Sequence, residues 1–384
     1  MEWKEVRLGD ILNFRRGHDL PHSAMKPGNI PVAGSNGVIG YHDTATPIKP
    51  ILTIGRSGNV GKPYFYEEAW AHNTTLYVDD FKGNDPKFLY YLCQTMPFAN
   101  FGGGSAVPTL NRNHIHPLET KTPVKVEDQR RIASILSSLD RKIELNNKIN
   151  ADLEEMAQAI FKNWFVDFEP FKDGKFVDSE LGMIPEGWKV VTLDDLTSKF
   201  GTGLNPRKNF VLGHGNNYYV TIKNMGNNRI YLNDRCDKVD DEALAKINKR
   251  SKLQKGDLLF SGIGTIGRVA MVVDDPINWN TSESVFNMHP IDTVSSEFIY
   301  LLLLSDKFQQ YVQQNAQGGV QQGIRMASLK AFQFAIPNDL KLFDNLVKPI
   351  ISKVKSNDKE NDTLSLLRDT LLPRLMSGEI EVPE

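Results

Sequence analysis

The sequence has few cysteines and no long apolar run. Cys93 and Cys236 are the only two cysteines in 384 residues, and they form no C-x-x-C pair. This excludes a disulfide framework and a cysteine-based zinc motif, and it indicates a reducing compartment. No run of 18 apolar residues is present, and the N-terminus MEWKEVRLGD lacks the apolar centre of a signal peptide. We therefore expect a cytoplasmic protein without a transmembrane helix.

Motifs that carry chemistry are also missing. The chain has no Pro-Pro, which the Asn-Pro-Pro-aromatic motif of adenine methyltransferases contains, and no Gly-x-Ser-x-Gly elbow. His114 and His116 resemble a metal-binding pair, but no third ligand is evident. Glu119-Thr120-Lys121 matches the end of a nuclease motif, but the Pro-Asp that this motif needs does not lie upstream. We expect no catalytic residue, no metal ligand and no cofactor bound by this chain.

A strong net charge is absent as well. Lys and Arg number 45 and Asp and Glu number 47, giving a net charge of −2. This balance argues against a protein that binds nucleic acid through general basicity. Local groups of positive charge can still bind phosphates when the total charge does not favour it.

One glycine-rich stretch, IGRSGNVGKP at residues 54–63, resembles a phosphate-binding loop. That loop has the motif G-x-x-x-x-G-K-[ST], with four residues between its glycines and a hydroxyl after its lysine. Here five residues separate Gly55 from Gly61, and Pro63 occupies the hydroxyl position. Proline also lacks the backbone N–H that such a loop uses to bind phosphate. The stretch therefore indicates a tight turn between strands.

The sequence contains an internal repeat. Four segments return in the same order: EWKEVRLGDI (2–11) as GWKVVTLDDL (187–196), GNVGK (58–62) as GTIGR (264–268), NTT (73–75) as NTS (280–282), and KFLYYL (87–92) as EFIYLL (297–302). The period of about 185–215 residues is too long for a solenoid and indicates a duplicated domain.

Each copy combines predicted strands and turns with a long predicted helix. Short β-branched or aromatic runs separated by glycine, proline and aspartate predict the strands. The end of each copy has the heptad spacing of a coiled coil. Its apolar positions are Ile132, Leu139, Leu153 and Ile160 with Ile135, Ile149 and Met156 in the first copy, and Phe343, Ile350, Leu364 and Leu371 with Leu346 and Leu367 in the second.

The midpoint of each heptad stretch is polar. Asn146 in the first stretch and Asn357 in the second occupy the same heptad position. A solvated break in the apolar stripe would explain either asparagine alone. Their coincidence favours another interpretation, in which paired asparagines fix the register of a coiled coil at some cost in stability. We predict this register role for both residues.

Several segments resemble, in order, the parts of one known family. They are DQRRIASILSSLDRKIELNN (128–147), IFKNWFVDFEPFKDGKFVDSELGMIPEGWKVVTLDDL (160–196), GTIGRVAMV (264–272) and LLPRLMSGEIEV (371–382). Over essentially all of its length the chain is similar to the specificity subunit of type I restriction-modification enzymes. One departure is LKLFDNLVKPI (340–350), which lacks the Gln-Arg-Arg of the first helix.

The resemblance implies an α/β (α+β) fold with two target recognition domains. Two long helices would separate the domains and form an antiparallel coiled coil with pseudo-twofold symmetry. The expected segments are a first recognition domain at 1–122, a helical spacer and linker at 123–184, a second recognition domain at 185–336 and a second helical spacer at 337–384. A helix from about 127 to 165 would be ~58 Å long, which exceeds one duplex turn of ~34–36 Å.

The resemblance also implies a function without catalysis. A member of this family reads a bipartite double-stranded DNA target, one half per recognition domain, with an unread spacer between the halves. It scaffolds two methyltransferase subunits, which use S-adenosylmethionine to methylate adenine, and restriction or translocase subunits, which use ATP and Mg²⁺. The expected location is the cytoplasm of a prokaryote, with no membrane partner.

Candidate DNA contacts follow from the side chains that read bases and hold phosphates, chiefly Arg, Lys, Asn, Gln and hydroxyls. In the first domain they are Arg56, Ser57, Lys62, His72, Asn73, Asn111 and Arg112. In the second domain they are Lys223, Asn224, Arg268, Asn280, Thr281, Gln321, Gln322 and Arg325.

The sequence alone does not exclude two other functions. The chain could be a stand-alone coiled-coil regulator that binds a specific DNA site, or a divergent NTPase or nuclease. Purification separates these functions: a regulator binds its site tightly alone, and an enzyme turns over ATP or DNA. A specificity subunit becomes a sequence-specific methylase only together with its methyltransferase subunit.

Overall fold

The structure is a computed structural model that describes residues 1–103, 108–319 and 322–383. Its contacts divide the chain into two compact units. Unit 1 comprises residues 1–146 and 359–384, and unit 2 comprises residues 147–358. The division falls inside the two long helices because each half of a helix packs on the core of its own unit.

The first part of the chain is rich in short strands. They are β1 (Trp3–Arg7), β2 (Asn13–Arg16), β3 (Ile30–Gly34), β4 (Gly37–His42), β5 (Ile51–Gly55), β6 (Pro63–Tyr66), β7 (Trp70–Ala71), β8 (Thr75–Asp80), β9 (Gly102–Gly103), β10 (Thr109–Leu110) and β11 (Glu119–Pro123). The helices are α1 (Leu8–Ile11), α2 (Pro86–Thr95), α3 (Arg112–Ile115) and the long α4 (Val126–Phe165).

The second part repeats this composition with additional strands. They are β12 (Phe176–Ser179), β13 (Gly182–Pro185), β14 (Lys189–Thr192), β15 (Thr197–Thr202), β16 (Asn217–Val220), β17 (Met225–Gly226), β18 (Arg229–Ile230), β19 (Asp237–Val239), β20 (Leu258–Ser261), β21 (Val269–Met271), β22 (Trp279–Thr281), β23 (Val285–Pro290) and β24 (Gln333–Ile336). The helices are α5 (Asp241–Ser251), α6 (Ser296–Leu304), α7 (Asp306–Asn315), α8 (Met326–Lys330) and the long α9 (Lys341–Met376).

Both units contain the same two sheets, which confirms the predicted duplication. An antiparallel four-stranded sheet has the order β2-β8-β5-β6 in unit 1 and β15-β23-β20-β21 in unit 2. A three-stranded sheet has the order β4-β3-β7 in unit 1 and β19-β16-β22 in unit 2, with its last pair parallel in each. A further antiparallel pair, β1 with β11 or β14 with β24, joins the start of each copy to its end.

A glycine directly after the first strand of each four-stranded sheet allows two backbones to touch. A Cβ at Gly17 would lie 2.1 Å from the carbonyl oxygen of His72. A Cβ at Gly203 would lie 1.7 Å from the carbonyl oxygen of Thr281. No side chain fits at such distances, so glycine is required where the two sheets of each unit meet.

The long helices contribute to both cores. In unit 1, Ile132 of α4 and Leu375 of α9 are buried in the same apolar cluster. In unit 2, Phe165 of α4 and Phe343 of α9 meet edge to face with ring centroids 4.8 Å apart. A second contact in each unit, Asn146 with Asn361 in unit 1 and Asn150 with Asn357 in unit 2, shows that the helix halves pair antiparallel within each unit. The predicted helix at about 127–165 is confirmed by α4.

The second apolar position of the predicted heptads is wrong at three of its five residues. Met156, Leu346 and Leu367 are 44%, 48% and 45% exposed, whereas Ile135 and Ile149 are half-buried. The buried residues instead lie four positions after residues of the first heptad position. They include Leu136, Asn150 and Ala157 on α4, and Val347, Val354, Asn361 and Leu375 on α9. An α-helix places residues three and four apart on one face, so spacing alone did not distinguish the two.

Asn146 and Asn357 are both buried, but each bonds to an asparagine that the sequence analysis missed. Asn146 donates to Asn361 Oδ1 over 2.9 Å in unit 1. Asn357 donates to Asn150 Oδ1 over 2.8 Å in unit 2. Each pair links α4 to α9, which supports the predicted register role.

The last residues of the chain pack on the first ones in unit 1. Gly378 has a φ of +76°, and a Cβ there would lie 2.8 Å from Nε1 of Trp3. The N-terminal ammonium of Met1 lies 3.3 Å from a carboxylate oxygen of Glu381. Ile380 packs on the same core as Trp3.

No helix in the described ranges is long and apolar enough to span a membrane. No group of three or more His, Cys, Asp or Glu side chains in those ranges could hold a metal ion.

Candidate nucleic-acid interface

The glycine-rich turn between β5 and β6 is the centre of the candidate site in unit 1. Gly58 and Gly61 have φ values of +86° and +82°, which glycine adopts without steric cost. The N–H of Gly61 donates to the carbonyl of Gly55 over 2.7 Å, and the N–H of Arg56 donates to the carbonyl of Thr74 over 2.8 Å. Because these donors are used within the protein, they cannot hold the phosphates of a nucleotide as a phosphate loop does.

Four arginines converge in a cleft of about 420 Å³ beside this turn. Arg15 and Arg16 end β2, Arg56 follows β5, and Arg112 begins α3. The other lining residues are Leu76, Thr109, Leu110 and Asn111. Arg56, Asn111 and Arg112 were predicted from the sequence, and the structure brings all three together.

The convergence has a backbone cause. An isolated bridge joins Ser57 to Thr109. The N–H of Leu110 donates to the carbonyl of Arg56 over 2.8 Å. Asn111 then caps α3, with its side-chain oxygen accepting from the N–H of Asn113 over 3.0 Å. The turn therefore holds the start of α3 beside itself.

The cleft is strongly cationic. Burial and the neighbouring guanidinium of Arg16 lower the pKa of Arg56. Among the described residues, Arg16, Arg56 and Arg112 form no ion pair, and Arg15 lies 3.9 Å from Asp79 at an exposed position. Closely spaced guanidiniums with few carboxylate neighbours attract phosphate oxygens.

His72 and Asn73 lie in the turn after β7, beside this cleft. The Arg56 guanidinium donates to the carbonyl of Asn73 over 3.4 Å, and the Asn73 amide donates to Asp19. Nδ1 of His72 lies 3.0 Å from Oγ1 of Thr74, and burial lowers the pKa of His72. Both side chains are half-buried.

Unit 2 repeats this scaffold through equivalent hydrogen bonds. In unit 2 the N–H of Ser261 donates to the carbonyl of Arg268 over 2.9 Å. In unit 1 the N–H of Gly55 donates to the carbonyl of Lys62 over 3.0 Å. An isolated bridge joins Ile263 to Gly323, as one joins Ser57 to Thr109. The equivalent positions are Arg16 and Thr202, Arg56 and Gly262, Lys62 and Arg268, Asn111 and Arg325, and Arg112 and Met326.

Different polar side chains occupy this scaffold in unit 2. Lys223, Gln322 and Arg325 are exposed there. Arg250, which the sequence analysis missed, reaches from α5 to Oγ1 of Thr202 over 3.5 Å. It brings a guanidinium beside Thr202, the residue equivalent to Arg16 of unit 1. Gln321 lies outside the described residues.

Lys62 and Arg268 are equivalent in the backbone but differ in their side chains. Lys62 is exposed, with its ammonium 5.2 Å from the ring of Tyr64. The guanidinium of Arg268 donates to the carbonyls of Ile222 and Met225 over 2.8 and 2.6 Å. Arg268 therefore anchors a neighbouring segment, whereas Lys62 projects into solvent.

Three candidates of unit 2 have structural contacts instead of a free surface. Asn280 and Thr281 have no exposed surface, and the Asn280 amide donates to Ser251 and Asn248. Asn224 is almost fully buried and caps a short turn through the N–H and hydroxyl of Thr221. A duplex cannot reach side chains buried in this way, so we leave these three out of the interface.

The burial of Asn280 has its origin in an offset between the repeats. The N–H of Thr75 donates to the carbonyl of His72, and that of Val285 donates to the carbonyl of Ser282. The structural counterpart of Asn73 is therefore Glu283, three residues after Asn280. The match of NTT with NTS is wrong, since Asn280 belongs to strand β22 and not to the turn that follows it.

Arg15 and Arg16 are the clearest residues that sequence reasoning missed. They stand immediately before Gly17, the glycine required where the sheets meet. An Arg-Arg pair directly before a glycine was the available signal. Its meaning depended on the pairing of β2 with β8, which a single sequence does not specify.

Comparison with known proteins agrees with this architecture. The family model described as type I restriction modification DNA specificity domain matches residues 1–155 and 185–361. The chain is 29% identical over 309 residues to the type I restriction enzyme MjaIX specificity subunit of Methanocaldococcus jannaschii, covering 78% of this chain and 70% of the relative. It is 27% identical over 450 aligned positions to the HindI specificity subunit of Haemophilus influenzae, covering 98% of this chain and 94% of the relative.

A solved structure shares the fold. The S subunit of a type I restriction-modification system from M. genitalium superposes with a TM-score of 0.62 at 16% identity, covering 98% of this chain and 96% of that one. The predicted fold class is thereby confirmed. Since the family model covers more than half of the sequence in two copies, the chain belongs to the family of type I restriction-modification DNA specificity subunits.

Proposed function

We propose that units 1 and 2 each read one half of a bipartite double-stranded DNA target. As a specificity subunit, the chain is the non-catalytic, DNA-recognising part of its complex. The observation that carries the finer proposal is the cationic cleft of Arg15, Arg16, Arg56 and Arg112. Guanidiniums bind phosphates and pair with guanine edges in the major groove.

The divergence between the units supports two different half-sites. Equivalent backbone positions present Asn111 and Arg112 in unit 1, but Arg325 and Met326 in unit 2. Side chains with different donors and acceptors select different bases. The proposed contacts are Arg15, Arg16, Arg56, Ser57, Lys62, His72, Asn73, Asn111 and Arg112 in unit 1, and Lys223, Arg250, Gln322 and Arg325 in unit 2.

The long helices are the proposed docking surface for the methyltransferase subunits. Leu342 and Leu366 of α9 are 73% and 70% exposed, so their side chains are free to contact a partner. We propose that two methyltransferase subunits with S-adenosylmethionine dock here, and that restriction subunits with ATP and Mg²⁺ join them in the cytoplasm of a prokaryote.

Co-expression with the methyltransferase subunit tests this function. Sequencing of methylated adenines is expected to give one split target. Arg112→Ala is expected to relax only one half and Arg325→Ala only the other, each by the ~1–3 kcal/mol of a base contact. Lys175→Ala, an exposed lysine in the linker after α4, is the control. A wild-type complex without sequence-specific methylation would overturn the proposal, and tight specific binding by the chain alone would favour a stand-alone regulator.

A further inference from the structure

Unit 2 contains an insertion that unit 1 lacks. In unit 1, two residues join β3 to the antiparallel β4. In unit 2, residues 221–236 join the equivalent strands β16 and β19, and they contain the small hairpin of β17 and β18. Asn227 and Asn228 turn this hairpin with φ values of +47° and +56°, a conformation that asparagine tolerates better than most residues.

The tip of the hairpin is bonded to both long helices within unit 2. The Asn228 amide donates to Oε2 of Glu154 on α4 over 3.2 Å. Nζ of Lys355 on α9 donates to the carbonyl of Asn228 over 3.2 Å. Arg229 lies 3.5 Å from Oδ1 of Asp358, and both side chains are mostly buried. The same oxygen of Asp358 accepts the Asn150 amide over 3.0 Å, so the hairpin reaches the asparagine pair of the helices.

These contacts lie in a partly apolar environment. Lys355 packs its ammonium 4.8 Å from the centre of the fully buried Tyr300 ring. Burial lowers the pKa of Lys355 and raises the pKa of Glu154. Charged groups held out of water in this way depend on their partners, so moving the hairpin is energetically costly.

The base of the hairpin is bonded to the candidate DNA-reading turn. Arg268, at the end of that turn, donates to the carbonyls of Ile222 and Met225. The exposed Lys223 lies between these two residues. One short hairpin therefore connects the turn at Gly264–Arg268 to α4 and α9.

We propose that the β17–β18 hairpin is a strut that fixes the reading turn of unit 2 on the helix pair, with Asn228 and Arg229 as positioning residues. This inference rests on the proposed function, because it concerns how the second half-site is held. In this proposal the helices determine the distance between the half-sites, so a fixed turn enforces one spacer length. Loss of the strut is expected to relax the spacer before it affects the bases that are read.

The test is a double variant, Asn228→Gly with Arg229→Ala. Glycine keeps the left-handed turn while removing the amide. The control is Asn227→Gly, which makes the same change at the exposed neighbouring position. The readout is the affinity of the complex with its methyltransferase subunit for the cognate duplex, divided by that for duplexes whose spacer is one base pair longer or shorter.

The double variant is expected to lower this ratio about tenfold, the equivalent of one hydrogen bond to a charged group, and to methylate sites with altered spacers. The control is expected to keep the wild-type ratio. A folded double variant with the wild-type ratio and spacer would overturn the strut, even if its melting temperature fell. If the double variant does not assemble, Lys355→Met is judged by the same ratio. Failure of the proposed function is distinct, because then the wild-type complex shows no preferred spacer.

Discussion

The side-chain amide of Asn146 on α4 donates a 2.9 Å hydrogen bond to Oδ1 of Asn361 on α9, and both residues are almost fully buried. A second pair, Asn357 with Asn150, repeats this arrangement in unit 2. The hydrogen bonds of a polar pair inside an apolar stripe form in only one alignment of the two helices. A slip of either helix would bury these amides against leucine and isoleucine, at a cost of ~1–3 kcal/mol for each unsatisfied group.

Asn146→Ala is therefore expected to lower the free energy of unfolding by about 1–2 kcal/mol, because a buried hydrogen bond between the helices is lost. Urea denaturation of the purified chain measures this change. Asn345→Ala, which replaces an exposed asparagine of α9, is the matched control and is expected to stay within about 0.5 kcal/mol. Equal effects of the two substitutions would contradict a register role for Asn146.

Arg268→Ala and Lys62→Ala are expected to behave differently although the residues are equivalent in the repeat. The Arg268 guanidinium is bonded to two carbonyls, so its removal is expected to cost about 1.5–3 kcal/mol of stability. Lys62 is exposed, so its removal is expected to leave stability unchanged and to weaken DNA binding only. Urea denaturation and a DNA titration of each variant separate the two effects. An Arg268→Ala protein as stable as wild type would refute the anchoring role.

Arg16→Ala is expected to reduce the salt dependence of DNA binding. Each phosphate contact contributes about −0.9 to the slope of log K against log salt concentration. Loss of one contact in the cleft should therefore make the slope less steep by about 1. Titrations of the complex with its methyltransferase subunit between about 50 and 200 mM salt measure this slope. Lys175→Ala should keep the wild-type slope, and an unchanged slope for Arg16→Ala would remove Arg16 from the phosphate contacts.

Shortening both long helices is expected to shorten the unread spacer of the target. Removal of residues 142–145 from α4 and of the facing residues 362–365 from α9 keeps Asn146 opposite Asn361. Four residues correspond to ~6 Å of helix, or about two base pairs. Sequencing of methylated adenines gives the spacer directly. An active deletion variant with the wild-type spacer would refute the idea that the helices determine this distance.

Features governed by local backbone geometry could be predicted from the sequence. GNVGK and GTIGR form the same turn, with left-handed glycines at Gly58, Gly61, Gly264 and Gly267, because few other residues adopt that conformation. Asp85 and Ser295 cap α2 and α6, as aspartate or serine before an apolar run predicts, and each side chain accepts from an N–H three residues on.

Features that depend on pairing between distant segments could not be predicted from the sequence. The apolar residues Leu346 and Leu367 fit a heptad as well as the buried Val347 and Val354 do, and only the packing of α9 on α4 separates them. Asn73 and Asn280 have similar neighbours in sequence, but hydrogen bonds between strands assign one to a turn and the other to a strand. Arg15 and Arg16 join Arg112 only through a fold that brings the end of β2 to the start of α3.

The packing of the chain's last residues on Trp3 has a consequence for synthesis on the ribosome. Unit 2 is one continuous stretch, residues 147–358, and it can fold as soon as that stretch has emerged. Unit 1 begins first but needs Leu375 and Met376 to complete its core. Of the two units, the one whose translation begins first is therefore completed last, and until then it exposes the apolar surface that Leu375 and Met376 cover.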